Sequence, residues 1–261
     1  MEVVHVERTN ENSVSLNKYI SSTGICSRRE AEKLITAERV TINGQPTKLG
    51  NRVFEGDVVL IDGKPIQAKP KTLYIAFNKP IGIVCTTDLK EPKNIIEYIN
   101  HPERLFPIGR LDKPSEGLIF LTNDGDIVNK ILRAGNNHEK EYIVTVKQPI
   151  TADFIAKMSQ GIPILETVTK KCKVTQLSKF TFKIILTQGL NRQIRRMCQY
   201  LDYDVTKLKR TRIMNVKLNN LKIGHWRELT ETEMQQINKL ISSSSKTEEA
   251  SLDKRKKKGG G

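Results

Sequence analysis

The stretch that decides the fold lies near the middle of the chain, at residues 106–125, and reads FPIGRLDKPSEGLIFLTNDG. It begins as a loop rich in proline and glycine, which presents the carboxylate of Asp112 close to the guanidinium of Arg110. It continues as an apolar run at residues 117–122, typical of a buried strand, and ends in Asn-Asp-Gly at residues 123–125, a sequence typical of a turn. Catalytic groups are often held on loops between fixed elements, so Asp112 is a candidate site residue. The alternative interpretation is an ordinary solvated aspartate in a surface turn.

The N-terminal part of the chain shows the pattern of a small separate module. Leu16, Tyr19 and Ile20 recur at helical spacing, and Ser27 with Glu30 three residues later predicts a capping box at the start of a second helix. Short strands separated by Asn-Gly and Asp-Gly turns follow. We expect a disordered lead-in at residues 1–13, this module at 14–66, a linker at 67–72, a main domain at 73–241 and a disordered basic tail at 242–261.

The charge of the chain indicates a polyanionic partner. The formal net charge is +15 with a pI of about 9.6, which favours nucleic acid over a membrane surface. Residues 71–241 carry an excess of 11 basic side chains, whereas residues 1–70 carry an excess of one and residues 242–261 an excess of three. The main domain is therefore the expected place for most of the contact with a polyanion.

Composition argues against several other classes of protein. The four cysteines are scattered and form no C-x-x-C pair, so neither a zinc site nor a disulfide framework is expected, and reduced thiols favour a cytoplasmic location. The first residues do not have the pattern of a signal peptide. No apolar run approaches the length needed to span a membrane, so we expect no membrane association.

Two later segments carry further candidates. By the period of two in a strand, Tyr142 shares one face with Val144 and Val146, where an aromatic residue is ordinarily part of the core. Residues 191–212 hold seven basic and two acidic side chains. If a helix starts at Arg192, then Arg195 and Arg196 lie on the same face, which suits either RNA binding or a solvated surface.

These motifs together resemble those of pseudouridine synthases, in the branch that modifies single sites in bacterial ribosomal RNA, and particularly its large-subunit type. The resemblance rests on residues 78–82, 109–118, 140–142 and 193–195, and residues 14–63 are similar to an S4-type RNA-binding module. It implies an α+β fold with a mixed, largely antiparallel sheet and flanking helices, joined to the small N-terminal domain. It also implies that the chain converts a specific uridine to pseudouridine.

The resemblance assigns roles to individual residues. Asp112 would act as the nucleophile or as a base on the sugar, and Tyr142 would lie against the target base. Arg195 would pair with Asp112 and keep it ionised, next to the aliphatic Ile194. Arg110 would fill the space that the flipped uridine leaves. The residues expected to contact RNA phosphates or other parts of the RNA are Arg28, Arg29, Lys79, Arg192 and Arg196, although Lys79 fits a structural role better.

The reaction is redox-neutral and needs no group donor, so no metal or organic cofactor is expected. The expected partner is large-subunit ribosomal RNA, with transfer RNA as the alternative substrate, and the expected state is a monomer. The alternative class is a non-catalytic RNA-binding or ribosome-assembly protein, because an S4-like module and basic charge alone fit both classes. The match of Asp112, Tyr142 and Arg195 to three separate motifs favours the enzyme.

Overall fold

The computed structural model describes residues 13–66, 71–132 and 138–242, and the chain divides into two compact units between Thr72 and Leu73. The predicted tail after residue 242, nearly all of the predicted lead-in and most of the predicted linker lie outside the described residues. Ser13 already belongs to the first strand, and Ser242 ends the last helix. Residues 14–66 and 73–241 remain our proposed domain limits.

The N-terminal unit packs two helices against short strands. Its elements are β1 (Ser13–Ser15), α1 (Leu16–Ser22), α2 (Arg28–Thr36), β2 (Val40–Ile42), β3 (Gln45–Pro46), β4 (Arg52–Phe54), β5 (Val59–Ile61) and β6 (Lys64–Pro65). Strand β1 pairs with β4, and the other strands form a four-stranded antiparallel sheet in the order β3-β2-β5-β6. The buried core contains Leu16, Ile20 and Ile35.

The capping box predicted for the second helix is confirmed. The hydroxyl of Ser27 accepts from the backbone N–H of Glu30 at 3.1 Å, and the Glu30 carboxylate accepts from the backbone N–H of Ser27 at 2.6 Å. The two bonds satisfy N–H groups that would otherwise lack partners at the start of α2. This fixes the helix start next to the two arginines expected to contact RNA.

The C-terminal unit is built on one large sheet. Its elements are β7 (Tyr74–Lys79), α3 (Ile95–Ile99), β8 (Phe106–Ile108), β9 (Glu116–Thr122), α4 (Gly125–Leu132), β10 (Lys140–Val146), α5 (Ala152–Gln160), β11 (Pro163–Ile164), β12 (Thr167–Val168), β13 (Lys173–Ser178), β14 (Thr181–Leu186), α6 (Gln193–Tyr200), β15 (Val205–Ile213), β16 (Val216–Lys217), β17 (Trp226–Glu228) and α7 (Glu231–Ser242).

Nine of these strands form the sheet, whose main path runs β13-β14-β10-β15-β9-β7-β17, with β16 on β15 and β8 on β9. The pairs are antiparallel except for the parallel pair β9 and β15. The predicted mixed, largely antiparallel α+β architecture is confirmed. Strands β11 and β12 form a separate two-stranded sheet.

The apolar run in the deciding stretch becomes β9, which is buried on both faces. Ile119 and Leu121 belong to a core that also receives apolar side chains from α3, α5 and α6. Leu118 and Phe120 belong to a second core that receives side chains from α4 and α7. Because both of its faces are covered, β9 has a continuous apolar sequence rather than one in which apolar and polar residues alternate. The loop before it is thus anchored in the centre of the unit.

Two further observations bear on sequence expectations. Among the residues that the structure describes, no helix is both long and apolar enough to cross a membrane. Cys85 and Cys198 are buried thiols, and burial is the main cause that raises the pKa of Cys198 to about 12. A thiol of that kind stays protonated and behaves as a small apolar core residue.

Candidate active site

The loop that carries Asp112 connects β8 to β9 and is fixed at several points. The backbone N–H of Ser115 donates to the carbonyl of Asp112 at 2.9 Å, and Gly82 donates to the carbonyl of Lys113 at 2.8 Å. Leu111 is buried beside Asp112, whereas Asp112 itself is partly exposed. The carboxylate therefore lies on a loop whose backbone is held by neighbouring chain segments.

Asp112 lines a cavity of about 460 Å³ at one end of the sheet. The cavity is formed by residues 109–112 of this loop, by β10 and β15, and by the segment that leads into α6. A second cavity of about 600 Å³ shares Gly109, Arg110, Leu111 and Asp112 with the first. Each volume lies in the range of sites that bind small molecules, so the Asp112 loop stands between two spaces large enough to receive part of a ligand.

Tyr142 lies in the same cavity. In β10 the side chains of Tyr142, Val144 and Val146 are buried on one face, as their spacing predicts. Tyr142 is 8% exposed, and its cross-strand partner Arg210 holds its guanidinium carbon 5.9 Å from the centre of the tyrosine ring. The aromatic ring and the Asp112 carboxylate thus face one space, which can hold a planar group against the ring.

Arg195 approaches the Asp112 loop but does not form the predicted pair with its carboxylate. Among the described residues, no ion pair within 4 Å joins Arg195 to Asp112. Its Nη2 donates instead to the carbonyl of Pro114 at 3.0 Å and to the hydroxyl of Ser115 at 3.2 Å, and its Nη1 donates to the carbonyl of Val205 at 3.3 Å. The fork is occupied by uncharged oxygens, so the prediction of a direct pair was wrong.

The charge of Arg195 still acts near the site. Burial is the main cause that lowers the pKa of Arg195 and the charge of Arg192 lowers it further, while the charge of Asp112 acts in the opposite direction. Arg195 therefore holds the loop by hydrogen bonds and adds positive charge near Asp112 without direct contact. This arrangement can fix where the carboxylate lies.

The cavity also receives Arg110, Arg192 and Ile194. Arg192 caps α6 in the left-handed conformation at φ 48° and is exposed, so the helix starts at Gln193 rather than at Arg192. Arg196 does not line the cavity, and its guanidinium donates to the backbone and side-chain oxygens of Asn191 at 3.1 and 3.2 Å. Its contact with a phosphate remains a prediction.

The N-terminal unit carries Arg28 and Arg29 in the first turn of α2, where both side chains are exposed. Backbone N–H groups at a helix start favour anions, so the position suits a phosphate contact. Nothing in the structure tests that contact, and it remains a prediction.

Lys79 cannot contact RNA in this structure, and that prediction was wrong. Its side chain is fully buried, and its amine donates to the carbonyls of Pro80 and Ile83, both at 2.9 Å. Burial is the main cause that lowers the pKa of this ammonium. Lys79 closes the turn that follows β7, which is a structural role.

Sequence reasoning missed Lys140 and Arg210, although both line the cavity. The amine of Lys140 donates to the carbonyl of His138 at 3.3 Å, and burial, followed by the charge of Arg210, lowers the pKa of Lys140 to about 8. Arg210 is 4% exposed, and its Nε donates to the carbonyl of Leu118 at 2.6 Å. The available signal for Lys140 was its position two residues before Tyr142, which places both on one face of a strand.

Comparison with known proteins identifies the two units. The family model described as RNA pseudouridylate synthase matches residues 73–200, and the model of the S4 domain matches residues 14–59. A solved structure described as pseudouridylate synthase superposes with a TM-score of 0.64 at 29% sequence identity, covering 86% of this chain and 99% of that chain. The fold of that protein therefore extends over nearly the whole described chain.

Two relatives extend the comparison. The chain is 58% identical over 237 residues to the dual-specificity RNA pseudouridine synthase RluF of Salmonella typhi, covering 90% of this chain and 82% of that protein. It is 36% identical over 234 residues to the ribosomal large subunit pseudouridine synthase B of Bacillus subtilis, covering 86% of this chain and 96% of that protein. At 58% identity over 90% of its length to an RNA pseudouridine synthase, this chain belongs to the RNA pseudouridine synthase family.

Proposed function

We propose that this enzyme converts uridine to pseudouridine in large-subunit ribosomal RNA, with Asp112 as the reacting carboxylate and Tyr142 as the platform for the target base. The observation that carries the proposal is that Asp112 and Tyr142 line one cavity of about 460 Å³. A base that has left its stack needs an aromatic or apolar surface to lie against, and the Tyr142 ring offers one. The family membership removes the alternative of a non-catalytic RNA-binding protein.

The chemistry is an isomerisation that a single carboxylate can support. The bond from the sugar carbon C1′ to N1 of uracil breaks, the base turns, and C1′ bonds to C5. The proton on C5 is lost, N1 gains a proton, and no electrons enter or leave overall. Asp112 would attack the sugar carbon, attack the base, or remove a ribose proton. Arg195 acts here as a positioning residue, because it bonds to Pro114 and Ser115 of the same loop.

The other arginines serve the RNA. Arg110 lies in the loop that borders both cavities, where it can fill the space left by the flipped uridine. Arg192 is exposed at the cavity rim and suits a phosphate contact, while Arg196 and the pair Arg28 and Arg29 are further candidates for the backbone. We assign the protein to the cytoplasm as a monomer, with the RNA supplying the extended partner surface.

Transfer RNA is the second candidate substrate. The relative that is 58% identical is called dual-specificity, whereas the one at 36% identity is named for the large ribosomal subunit. We infer that large-subunit ribosomal RNA is a substrate and that a second RNA class can share the site. Pseudouridines would be mapped in ribosomal and transfer RNA from cells with and without the gene. The loss of sites in transfer RNA alone would contradict the ribosomal assignment.

The role of Asp112 is tested by Asp112→Asn. We expect the variant to fold and bind RNA but to form product roughly 10⁴-fold more slowly or not at all, the scale seen when a reacting group is removed from other enzymes. Asparagine keeps the shape of aspartate but cannot act as an anionic nucleophile or base. Product would be measured by mass spectrometry after chemical labelling of pseudouridine.

Asp202→Asn is the matched control. Asp202 is exposed at φ 62°, a conformation that asparagine also accepts, so this variant should keep the activity of the wild type. Near-normal activity in Asp112→Asn would overturn the assignment of the reacting carboxylate.

A further inference from the structure

Two cations inside the cavity have no carboxylate partner among the residues that the structure describes. Lys140 from β10 and Arg210 from β15 both line the space that holds Asp112 and Tyr142. Within the described parts of the chain, no ion pair within 4 Å joins either of them to an aspartate or glutamate. Their hydrogen bonds go to uncharged carbonyls, from Lys140 to His138 and from Arg210 to Leu118. The described part of the chain therefore leaves both positive charges without a carboxylate at close range.

This arrangement is costly. Arg210 is 4% exposed, and its Nη2 is buried without an acceptor among the residues that the structure describes. A buried charge that lacks an oppositely charged partner is unfavourable, because it has lost its hydration. Lys140 also lies close enough for the charge of Arg210 to disfavour its protonated form. Two repelling cations that face one cavity indicate that the missing negative charge is brought by what binds there.

The reaction itself supplies such a charge. When the bond between C1′ and N1 breaks, its electron pair stays with uracil, and the negative charge spreads over N1 and the two carbonyl oxygens. If Asp112 adds to the base instead, the ring becomes an enolate with its charge on a carbonyl oxygen. Each route therefore places negative charge on the base oxygens before C5 bonds to C1′. The charge disappears when C5 loses its proton and N1 gains one.

We propose that Lys140 and Arg210 stabilise the negative charge that the uracil base acquires during the reaction. The proposal rests on the function proposed above, in which the target base lies against Tyr142. Arg210 stands 5.9 Å from the centre of the Tyr142 ring, and Lys140 is roughly 7 Å along the same strand face by strand geometry. Donors that are already in place, in a site that excludes water, act most strongly on charge that develops in the transition state.

Lys140 has the hydrogen-bonding capacity that this role needs. An ammonium has three donors, and within the described residues Lys140 uses one of them, in a long bond of 3.3 Å to the His138 carbonyl. As far as those residues go, two donors remain for the base. Arg210 acts through its charge, because its Nη2 is itself buried, and its Nε bond to Leu118 at 2.6 Å fixes the direction of the guanidinium. Lys140 is the more suitable residue to test, since its replacement removes no bond of that quality from the fold.

The test compares Lys140→Met with Lys140→Arg in single-turnover reactions at saturating enzyme, which separates the chemical step from binding. We expect Lys140→Met to lose roughly 10²-fold in rate with little change in RNA affinity, the scale of losing one preorganised donor. Lys140→Arg should recover most of that rate, since it keeps the charge. The surface variant Lys207→Met, on an exposed position of β15, should leave the saturated rate unchanged.

The pH profile gives a second readout. Burial and the charge of Arg210 lower the pKa of Lys140 to about 8 in the protein without RNA, and a bound polyanion favours the ammonium. The wild-type rate at saturation should therefore fall as pH rises above about 8 and the ammonium loses its proton. Arginine stays protonated there, so this fall should disappear in Lys140→Arg. His138 cannot cause this fall in rate. Its pKa is lowered below the usual 6.5, mainly by burial, so it has already lost its proton at pH 8. The other charged or titratable side chains facing this cavity are Arg110, Asp112, Tyr142, Arg192, Arg195 and Arg210.

Three results would overturn the proposal. The first is a wild-type rate in Lys140→Met, and the second is a loss in that variant confined to RNA affinity, which would indicate a phosphate contact instead. The third is an unchanged fall in rate above pH 8 in Lys140→Arg. If Lys140→Met does not fold, the pH profile of Lys140→Arg still decides. Asp112→Asn is run beside them, because activity in that variant would remove the proposed site as a whole, whereas an active Lys140→Met would remove only this inference.

Discussion

Two pairs of arginines, one pair in each unit of the molecule, are held in opposite ways. In the N-terminal unit, Arg28 and Arg29 lie exposed at a helix start. In the C-terminal unit, the partly buried Arg195 and the buried Arg210 donate to backbone carbonyls. An exposed charge can attract a polyanion in many orientations. A guanidinium that is hydrogen-bonded within the fold instead fixes the positions of the groups around it. We therefore expect changes at Arg28 and Arg29 to alter affinity and changes at Arg195 and Arg210 to alter chemistry or folding.

Two glycines, one in each unit, also differ in how closely their surroundings pack against them. Gly117 in β9 has φ 110°, and a Cβ atom there would lie 2.7 Å from the backbone nitrogen of Arg210 and closer still to its carbonyl oxygen. Gly56 in the N-terminal unit has φ 85°, but a Cβ atom there would meet no atom of the described residues within 4 Å. Both positions favour glycine for conformational reasons, and only Gly117 adds a collision with a fixed backbone. The close approach of β9 and β15 thus depends on one residue.

The largest effect on stability is expected from Gly117→Ala. Overpacking against backbone and a strained φ together should reduce the free energy of unfolding of the C-terminal unit by about 3 kcal/mol or more. Gly56→Ala carries only the conformational cost, about 1–2 kcal/mol, in the N-terminal unit. Urea unfolding followed by circular dichroism would compare the two variants. Equal losses in the free energy of unfolding would show that the tight contact between β9 and β15 makes Gly117 no more important for stability than a glycine in an ordinary turn.

Much of this architecture could be predicted from the sequence because the deciding signals are local. The apolar run of β9, the capping box at Ser27 and the shared face of Tyr142 and Val144 each depend on spacing within a few residues. The burial of Lys79 was not predictable, because a lysine beside proline and glycine looks like a surface turn. Its partners become visible only when β7 pairs with β9 and the chain folds back over it.

The position of Arg210 was hidden by an irregularity in strand pairing. Lys140 is opposite Ile213 and Glu141 is opposite Arg212, so regular pairing would place Thr211 opposite Tyr142. A register shift brings Arg210 there instead, against the tyrosine ring. A single-residue shift exchanges the face on which every later side chain lies, and sequence alone does not fix it. The acceptors of Arg195 are likewise far away in sequence, at Pro114 and Ser115.

The next largest effect is expected on chemistry, from Arg195→Lys. The guanidinium bonds to Val205 on one side and to Pro114 and Ser115 on the other, and a lysine cannot span these three oxygens. A misplacement of the loop by about 1 Å can cost on the order of 10²-fold in rate, so we expect a loss of that size in single-turnover reactions.

Arg192→Lys is the matched control for Arg195→Lys, since Arg192 is exposed and both substitutions keep the charge. It should lose only a few-fold in affinity and little in rate. If the two variants lost the same rate, or if Arg192→Lys lost more, Arg195 would not be the residue that positions the Asp112 loop.

The smallest effect is expected from Arg28→Ala combined with Arg29→Ala, and it should appear in salt dependence. Each phosphate contact releases counterions and adds about 0.7 for single-stranded RNA, or about 0.9 by analogy with duplex DNA, to the slope of log affinity against log salt. The double variant should therefore have a slope shallower by about 1.4 to 1.8, with its rate at saturating RNA unchanged. Arg39→Gln is the control, because Arg39 is already paired with Asp62 through two bonds and offers its charge to that carboxylate rather than to RNA. An unchanged slope in the double variant, or an equal change in Arg39→Gln, would mean that the exposed arginines of α2 are solvated surface residues and that the S4 domain binds RNA through another face.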